Sequence, residues 1–305
     1  MRFEFIDTPL AGLKIVQRKL IEDTRGFLSR LYCADDFAAG NVSLSIAQIN
    51  QTLTRRKGAA RGTCLKALQA ADTNKTLFVR VNALDTGETR ADLEAVLPGR
   101  PYGIVLPKCR GAEDMKEVGK MLAVLEAREG IERGATRILP IATENGASMF
   151  GLGTYTGVER LCGIFWGGED LAADLGAVSN RDAQGSYTAP YQLARSLTLY
   201  AAAAAGVIAV DAVYTNFRDL EGLKAEAAEA LRDGFSAKTA IHPDQVEPIN
   251  AAFTPSAADV AWAKRVIAAI DASPGAGVAS LDGKMLDRPH YKAAQRVLAR
   301  AQGPS

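Results

Sequence analysis

From Thr76 to its C-terminal end, the chain alternates short β-branched runs with longer stretches of helix-forming residues. This alternation is typical of repeated strand and helix units around a parallel sheet, and it constrains the fold more than any other feature. It predicts an α/β protein with six strands, at residues 77–81, 103–106, 138–142, 163–166, 207–213 and 235–241. Apolar periodicity and helix-forming composition predict helices at residues 112–127, 189–205, 220–232, 257–272 and 290–301.

The first 56 residues have a different pattern. Short alternating segments at residues 13–19, 27–33 and 46–53 are separated by turns, and no crossover helix lies between them. A closed (β/α) barrel has eight strands, so the six predicted units are two short, and the deficit falls at the N-terminal end. We therefore predict a TIM-type (β/α) barrel that lacks its first two strands and is preceded by a short β-rich segment.

The formal net charge is +1, so the chain has no global field that would attract nucleic acid or a membrane surface. The four cysteines are widely separated and only two histidines are present, which argues against a zinc site. The N-terminus lacks an apolar signal core, and no later stretch reaches about 18 uninterrupted apolar residues. We expect a cytoplasmic protein with reduced thiols.

Acidic residues follow two neighbouring strand candidates at the point where each strand ends. Glu144 follows the strand at 138–142, and Glu169 and Asp170 follow the strand at 163–166. The C-terminal ends of parallel strands line one mouth of an α/β barrel, where active sites are built. Two carboxylates there suit a hard ion such as Mg²⁺, which keeps positions for water and substrate oxygens. The alternative is that these acids cap the following helices, because acidic residues favour helix N-termini.

Six sequence words stand in order along the chain: Phe78-Val-Arg-Val-Asn82, Ile104-Val-Leu-Pro-Lys108, Ala142-Thr-Glu144, Trp166-Gly-Gly-Glu-Asp-Leu-Ala-Ala-Asp-Leu-Gly176, Ala240-Ile-His-Pro243 and Asp282-Gly-Lys-Met-Leu-Asp-Arg-Pro-His290. Together they resemble the citrate lyase β-subunit-like group of the HpcH/HpaI aldolase superfamily, which includes malyl-CoA and citramalyl-CoA lyases. The resemblance covers about residues 57–300.

This resemblance implies roles for the residues around the barrel mouth. Glu144 and Asp170 would ligate Mg²⁺, and Arg80 would hold the substrate carboxylate or polarise the reacting carbonyl. Gly168 and Glu169 would shape the same substrate-binding loop. The two residues after Glu144, Asn145 and Gly146, depart from the family's pattern, so the acyl pocket is expected to differ in shape from that of the family.

The resemblance also implies a CoA-ester substrate and an oligomer. Lys108 would lie near the CoA phosphates, with a solvated lysine at a strand end as the alternative. Asp287 matches an acid that the family places on a C-terminal lid and presents to the active site of a neighbouring subunit. The expected assembly is a homo-oligomer, a trimer or hexamer. We divide the chain into a β-rich fragment at 1–56, a barrel lyase domain at 57–272 and a lid segment at 273–305.

The implied reaction is cleavage, or the reverse condensation, of a 3-hydroxyacyl-CoA such as malyl-CoA or citramalyl-CoA through a CoA-ester enolate. Mg²⁺ would hold the keto acid oxygens, Arg80 would supply a fixed cation, and Asp287 would move the proton. Two alternatives stay open, a malyl-CoA-type thioester hydrolase and an inactive, oligomer-forming remnant. Retention of the site residues favours chemistry, whereas the missing strands favour the remnant.

The N-terminal words Thr8-Pro-Leu-Ala-Gly-Leu-Lys14, Asp23-Thr-Arg-Gly-Phe27, Gln48-Ile-Asn50 and Thr54-Arg-Arg-Lys-Gly58 resemble dTDP-4-dehydrorhamnose 3,5-epimerases. In that family they begin a β-jelly-roll, but here the match stops before the family's catalytic histidine. An opening fragment leaves sheet edges unpaired, so we expect no epimerase activity. The sequence looks like a fusion joined near residues 55–61. Either residues 13–19 and 27–33 or a partner chain would fill the gap in the barrel.

Four further polar residues lie in or shortly after strand candidates and have no catalytic motif. His242 is interpreted mainly as a structural residue, and Asp211 and Tyr214 as pocket wall or caps. Cys109 lies next to the proposed mouth, but no histidine-bearing motif accompanies it. We therefore do not expect a nucleophilic cysteine.

Overall fold

A computed structural model describes residues 59–71, 73, 75–272 and 278–301, together with the backbone of five N-terminal strands. These strands are β1 (Phe3–Asp7), β2 (Lys14–Arg18), β3 (Ile21–Asp23), β4 (Gly26–Cys33) and β5 (Gln48–Thr54). β1 pairs with β2, and β3, β4 and β5 form a second antiparallel sheet in that order. The three predicted N-terminal segments are thus confirmed as strands. As described, these strands pair only with one another and do not fill the gap in the parallel sheet.

Six short parallel strands follow, and they carry the rest of the fold. They are β6 (Phe78–Arg80), β7 (Gly103–Leu106), β8 (Arg137–Pro140), β9 (Gly163–Phe165), β10 (Ile208–Asp211) and β11 (Ala237–Lys238). All six predicted strands are present, most of them shorter than predicted.

The six strands lie side by side in chain order. β6, β7 and β8 form one hydrogen-bonded group, and β9, β10 and β11 form another. Backbone hydrogen bonds join β8 to β9, including one of 2.8 Å from the Ala142 N–H to the Phe165 carbonyl. No strand in the described part of the chain connects β6 with β11, so the described sheet is open at both edges.

Helices connect these strands. They are α1 (Ala59–Gln69), α2 (Thr89–Val96), α3 (Ala112–Arg128), α4 (Gly146–Met149), α5 (Glu169–Asp174), α6 (Ala189–Ala205), α7 (Leu220–Asp233), α8 (Val246–Phe253), α9 (Ala257–Asp271) and α10 (Arg288–Ala301). Single 3₁₀ turns lie at Leu84–Thr86, Leu97–Gly99, Leu152–Thr154 and Pro243–Gln245. All five predicted helices are confirmed, and the five further helices α1, α2, α4, α5 and α8 are additions to the prediction.

Local signals in the sequence set several helix boundaries. The Asp219 side chain accepts a hydrogen bond from the Gly222 N–H at the start of α7. Ser256 caps α9 in the same way, as its sequence predicts. Gly206 and Gly234 end α6 and α7 in the left-handed conformation, with φ of 69° and 115°, which glycine adopts without steric cost.

The helices cover one face of the parallel sheet more completely than the other. Ile104, Ile138 and Ile164 on the covered face are fully buried. Leu139 and Ile208 lie on the opposite face, where both would contact a side chain placed at Gly163 between them. Ile208 there keeps 48% of its surface exposed. The sheet therefore has an apolar face that the described residues leave partly open.

A second, smaller core forms near the C-terminus. The hairpin of β12 (Ala279–Leu281) and β13 (Lys284–Leu286) packs with α9 and α10 around Val266, Leu286 and Ala294. This unit carries the residue that follows β13, Asp287. Across the described ranges, no helix is both long and apolar enough to cross a membrane.

Candidate active site

Four charged side chains meet where β6, β7, β8 and β9 end. Arg80 is the last residue of β6, and Lys108 lies in the turn after β7. Glu144 lies in the loop after β8, and Asp170 is the second residue of α5, which follows β9. Because these strands are neighbours and parallel, their C-terminal ends lie along one edge. The structure thus brings together four residues that sequence reasoning placed in one site.

Glu144 is the centre of this group. Its side chain is only 5% exposed, and Oε2 accepts a hydrogen bond of 2.5 Å from the Lys108 backbone N–H. Its other oxygen, Oε1, lies 3.7 Å from Arg80 Nη2, and Asp170 Oδ1 lies 3.7 Å from Lys108 Nζ. The two longer contacts are ion pairs without hydrogen-bond geometry, so both cations have room to engage another group.

The Lys108 backbone has an uncommon conformation that serves this contact. Its φ is 53°, in the left-handed region that costs a side-chain-bearing residue about 1–2 kcal/mol. In this conformation its N–H donates to Glu144, at a separation of 36 residues in sequence. Backbone strain of this kind concentrates at functional sites, where surrounding contacts hold it in place.

Burial and a like charge disfavour the ionised form of Glu144 relative to an exposed glutamate. Burial raises the pKa of its carboxyl, and the negative charge of Asp170 adds to the rise. The hydrogen bond from Lys108 N–H and the charges of Arg80 and Lys108 oppose it but do not cancel it. A divalent cation between the two carboxylates would relieve this unfavourable interaction.

A cavity of about 520 Å³ lies above these residues. Its charged lining consists of Asp85, Lys108, Arg110, Asp114, Glu144, Asp170 and Asp174, so carboxylates outnumber cations five to two. A second cavity of about 380 Å³ is lined by Arg80 and Asn82 and shares Ala83, Asp85, Pro107 and Lys108 with the first. The site is therefore a groove with an acidic part and a cationic part at Arg80.

The donor set fits a magnesium ion better than a zinc ion. Within the described ranges, no three His, Cys, Asp or Glu side chains form a group that could hold a metal. A metal at this site would have two carboxylate ligands, Glu144 and Asp170, and would complete its shell with water or substrate oxygens. Mg²⁺ is commonly bound through one or two carboxylates and keeps several waters, whereas structural zinc needs four protein ligands.

Gly168 and Glu169 lie beside the groove and line neither cavity. A side chain at Gly168 would come within 3.1 Å of the Trp166 ring, so glycine permits close packing of the loop there. The Glu169 carboxylate accepts a hydrogen bond of 2.8 Å from Asn180 Nδ2. Both residues thus hold the loop that carries Asp170.

Asp287 lies apart from this group, between β13 and α10, and lines neither cavity. Its Oδ1 lies 2.5 Å from His290 Nδ1, and this hydrogen bond lowers the pKa of the Asp287 carboxyl. The Asp287 carboxylate therefore has a hydrogen-bond partner within its own chain.

Other polar residues near the strand ends have structural partners. His242 Nδ1 accepts from the Asp244 N–H, and its ring stacks on Phe217 with centroids 4.7 Å apart. Burial raises the pKa of the Cys109 thiol to about 11, and the Tyr155 hydroxyl donates to its sulfur. Such a thiol is a poor nucleophile near neutral pH.

Asp211 lies in a buried ion network below the site. It accepts hydrogen bonds from Trp166 Nε1 at 2.7 Å and from Lys238 Nζ at 2.8 Å, and it pairs with Arg195. Asp211 is therefore neither a cap nor part of either cavity wall, because two buried cations and an indole take its oxygens. In the sequence, the signal for the loop that Trp166 anchors is the pair of glycines that follows it, Gly167 and Gly168.

Comparisons with known proteins match two families. A model of the HpcH/HpaI aldolase/citrate lyase family matches residues 50–243. A model of the dTDP-4-dehydrorhamnose 3,5-epimerase family matches residues 7–83. The two matches overlap at residues 50–83, around the predicted junction.

Individual relatives match over most of the chain. A (3S)-malyl-CoA thioesterase of Cereibacter sphaeroides is 36% identical over 246 residues, which is 80% of this chain and 80% of the relative. The mitochondrial citramalyl-CoA lyase of Rattus norvegicus is 32% identical and covers 81% of this chain and 75% of the relative. The structure of CitE from Mycobacterium tuberculosis in complex with magnesium, acetoacetate and coenzyme A has a TM-score of 0.59 and 34% identity, covering 74% of this chain and 78% of that one.

Proposed function

Because this chain belongs to the HpcH/HpaI aldolase/citrate lyase family, we propose that it is a Mg²⁺-dependent carbon–carbon lyase acting on a 3-hydroxyacyl-CoA such as malyl-CoA or citramalyl-CoA. The observation that carries the proposal is the pair Glu144 and Asp170, which line one cavity beside Arg80 and Lys108. A similar structure contains both magnesium and coenzyme A. The proposal covers both malyl-CoA and citramalyl-CoA and does not choose between them.

Glu144 and Asp170 would hold the metal ion in this proposal. When bound, Mg²⁺ supplies a Lewis acid that stabilises negative charge developing on the keto acid oxygens. The raised pKa of Glu144 supports this assignment, because a carboxylate strained by burial and by a like charge gains most from a bound cation.

Arg80 and Lys108 would bind the anionic parts of the substrate. Arg80 is 60% exposed in its side chain and has only a long contact with Glu144, so its guanidinium is open to a substrate carboxylate or carbonyl. Lys108 is 46% exposed and reaches the cavity, where its ammonium suits a phosphate of CoA. Gly168 and Glu169 would hold the loop that carries the metal ligand Asp170.

Asp287 would act as general base and acid from a neighbouring subunit. In the cleavage direction it takes the proton of the substrate hydroxyl, the carbon–carbon bond breaks, and the bonding electrons pass into the thioester enolate. Return of a proton to the enolate carbon gives acetyl-CoA, and the hydroxyl carbon becomes the carbonyl carbon of the 2-oxo acid. Because Asp287 lines neither cavity of its own chain, this role requires a homo-oligomer, for which we propose a trimer or hexamer.

The parallel sheet would form part of a TIM-type barrel that lacks its first two strands. The chain-order pairing of β6 to β11 and the partly exposed inner residue Ile208 support this arrangement. The division of the chain into domains at 1–56, 57–272 and 273–305 remains part of the proposal.

A malyl-CoA-type thioester hydrolase is the second candidate function, because a (3S)-malyl-CoA thioesterase is 36% identical to this chain. An inactive remnant is the third, because the described sheet is open.

One assay separates the three functions. The full chain is mixed with malyl-CoA or citramalyl-CoA and Mg²⁺, and acetyl-CoA, keto acid and free CoA are measured separately. Acetyl-CoA with keto acid supports the lyase, free CoA without keto acid supports the hydrolase, and no product supports the remnant. Asp170→Asn should lower turnover by more than about 100-fold through loss of a metal ligand. Asp271→Asn, at an exposed position on α9, is the matched control and should leave turnover unchanged.

A further inference from the structure

The loops that carry Glu144 and Asp170 are joined by one buried hydroxyl group. Thr143 is fully buried and immediately precedes Glu144. Its Oγ1 accepts a hydrogen bond of 2.9 Å from the Gly167 N–H and donates one of 3.2 Å to the Gly167 carbonyl. Gly167 lies three residues before Asp170. Thr143, the residue before Glu144, therefore binds both the N–H and the carbonyl of Gly167 on the loop that carries Asp170.

This contact follows directly on the backbone pairing of the two strands, and further along the same loops the Gly146 N–H donates a hydrogen bond of 2.7 Å to the Asp174 carboxylate. The backbone pairing of β8 and β9 ends with the hydrogen bond from Ala142 N–H to the Phe165 carbonyl. On the far side, Trp166 is anchored by its indole N–H on Asp211. Gly167 is thus held from below by Trp166 and from the side by Thr143.

The approach at Gly167 also fixes the Glu144 side chain directly. A Cβ atom placed on Gly167 would lie 3.0 Å from Glu144 Cγ and 3.2 Å from Ile141 Cγ2, closer than carbon atoms normally pack. The absence of a side chain at Gly167 therefore allows the Glu144 side chain to lie where it does. Gly167 therefore links the two carboxylates, through its hydrogen bonds to Thr143 and through its close packing against the Glu144 side chain.

We infer that Thr143 is a positioning residue that fixes the separation of Glu144 and Asp170 and so makes the site selective for Mg²⁺ over larger divalent cations. The inference rests on the proposed function, in which these two carboxylates hold the metal. Mg²⁺ requires near-ideal octahedral geometry at about 2.0–2.1 Å, whereas Ca²⁺ accepts variable ligand numbers at about 2.3–2.6 Å. A loosened pair of carboxylates therefore loses Mg²⁺ affinity before Ca²⁺ affinity.

The test measures metal binding in the full chain without substrate. Mn²⁺ binding is followed by its EPR signal, and Mg²⁺ and Ca²⁺ affinities are obtained by displacement. Thr143→Val removes the hydroxyl at nearly constant shape and should weaken Mg²⁺ binding by about 10–100-fold, as for other residues that orient metal ligands. It should change Ca²⁺ binding by less than about threefold. Thr143→Ser retains the hydroxyl and should restore Mg²⁺ binding to near the wild-type value.

Thr198→Val is the matched control. Thr198 is fully buried, and its hydroxyl donates to the Ala194 carbonyl within α6, so the variant removes a buried hydroxyl at a residue that lines neither cavity. Metal binding should be unchanged. Gly167→Ala is a second variant that keeps both hydrogen bonds but pushes Glu144 aside, and it should lower Mg²⁺ affinity selectively. It keeps the inference testable if Thr143→Val does not fold.

The outcomes separate the inference from the proposed function. Wild-type protein that binds no divalent cation would refute both. Wild-type binding with an unchanged Mg²⁺ affinity in Thr143→Val, or in Gly167→Ala if the first variant does not fold, would refute the inference alone. Equal losses of Mg²⁺ and Ca²⁺ affinity in the tested variant would refute it too, because they indicate a general disturbance of the site.

Discussion

Substitution of Glu126 by Gln should destabilise the strand that leads to Glu144. Glu126 on α3 is fully buried and accepts hydrogen bonds of 2.6 Å at each oxygen from Arg160, which also binds the Thr136 carbonyl. Burial alone would raise the pKa of Glu126, but the bonds from Arg160 and two backbone N–H groups lower it to about 2 from 4.5. At about 1.4 kcal/mol per factor of ten, this difference corresponds to about 3 kcal/mol of stability. Breaking a buried pair also costs about 3–5 kcal/mol.

The pH dependence of this loss follows from the direction of the pKa change. Because the folded-state pKa is depressed, the stabilisation is fully present above about pH 4.5 and is lost as pH falls through about 2. The difference between wild type and Glu126→Gln should therefore be about 3 kcal/mol at pH 7 and about half of that at pH 3.

Guanidinium denaturation followed by Trp166 fluorescence measures this difference, because Trp166 is fully buried. The chain has two tryptophans, so a Trp262→Phe background leaves only the buried reporter. Glu113→Gln, an 85% exposed position on the same helix, is the control and should leave the free energy of unfolding nearly unchanged, because exposed ion pairs contribute little. The reasoning fails if Glu126→Gln costs no more than this control, or if its cost is the same at pH 3 and pH 7.

Three further predictions concern other parts of the chain. Lys238→Met should destabilise the protein by about 3–5 kcal/mol in the same denaturation assay, because it removes one of the two cations that pair with each of the Asp211 and Glu226 carboxylates, and a stable variant would contradict this. At pH 8, iodoacetamide should label exposed Cys64 but not buried Cys109 in the native protein, as judged by peptide mass spectrometry, and rapid labelling of Cys109 would contradict its burial. If Asp287 is the general base, His290→Ala should raise the pKa of its carboxyl and move the acidic limb of the kcat/KM profile to higher pH, whereas an unmoved limb would separate His290 from the reaction.

The elements that are local in sequence were predicted well. The helix at Ala189–Ala205 has the predicted bounds, because apolar periodicity and a left-handed glycine at its end act within the helix itself. The strands at Ile208–Asp211 and Ala237–Lys238 are shorter than predicted. Apolar residues continue past the last ladder hydrogen bond there, and composition does not reveal where a neighbouring strand turns away.

The sequence by itself determined the alternating α/β order, the family resemblance and the two carboxylates that follow neighbouring strands. These features depend on residue type and short-range spacing, which are visible in one chain. Only the tertiary structure decided that Lys108 adopts a left-handed conformation to bind Glu144, and that the Thr143 hydroxyl joins Gly167. These contacts span 36 and 24 residues and are single hydrogen bonds between loops, so they have no period or composition of their own. They exist because parallel strands bring distant loops to one edge of a sheet.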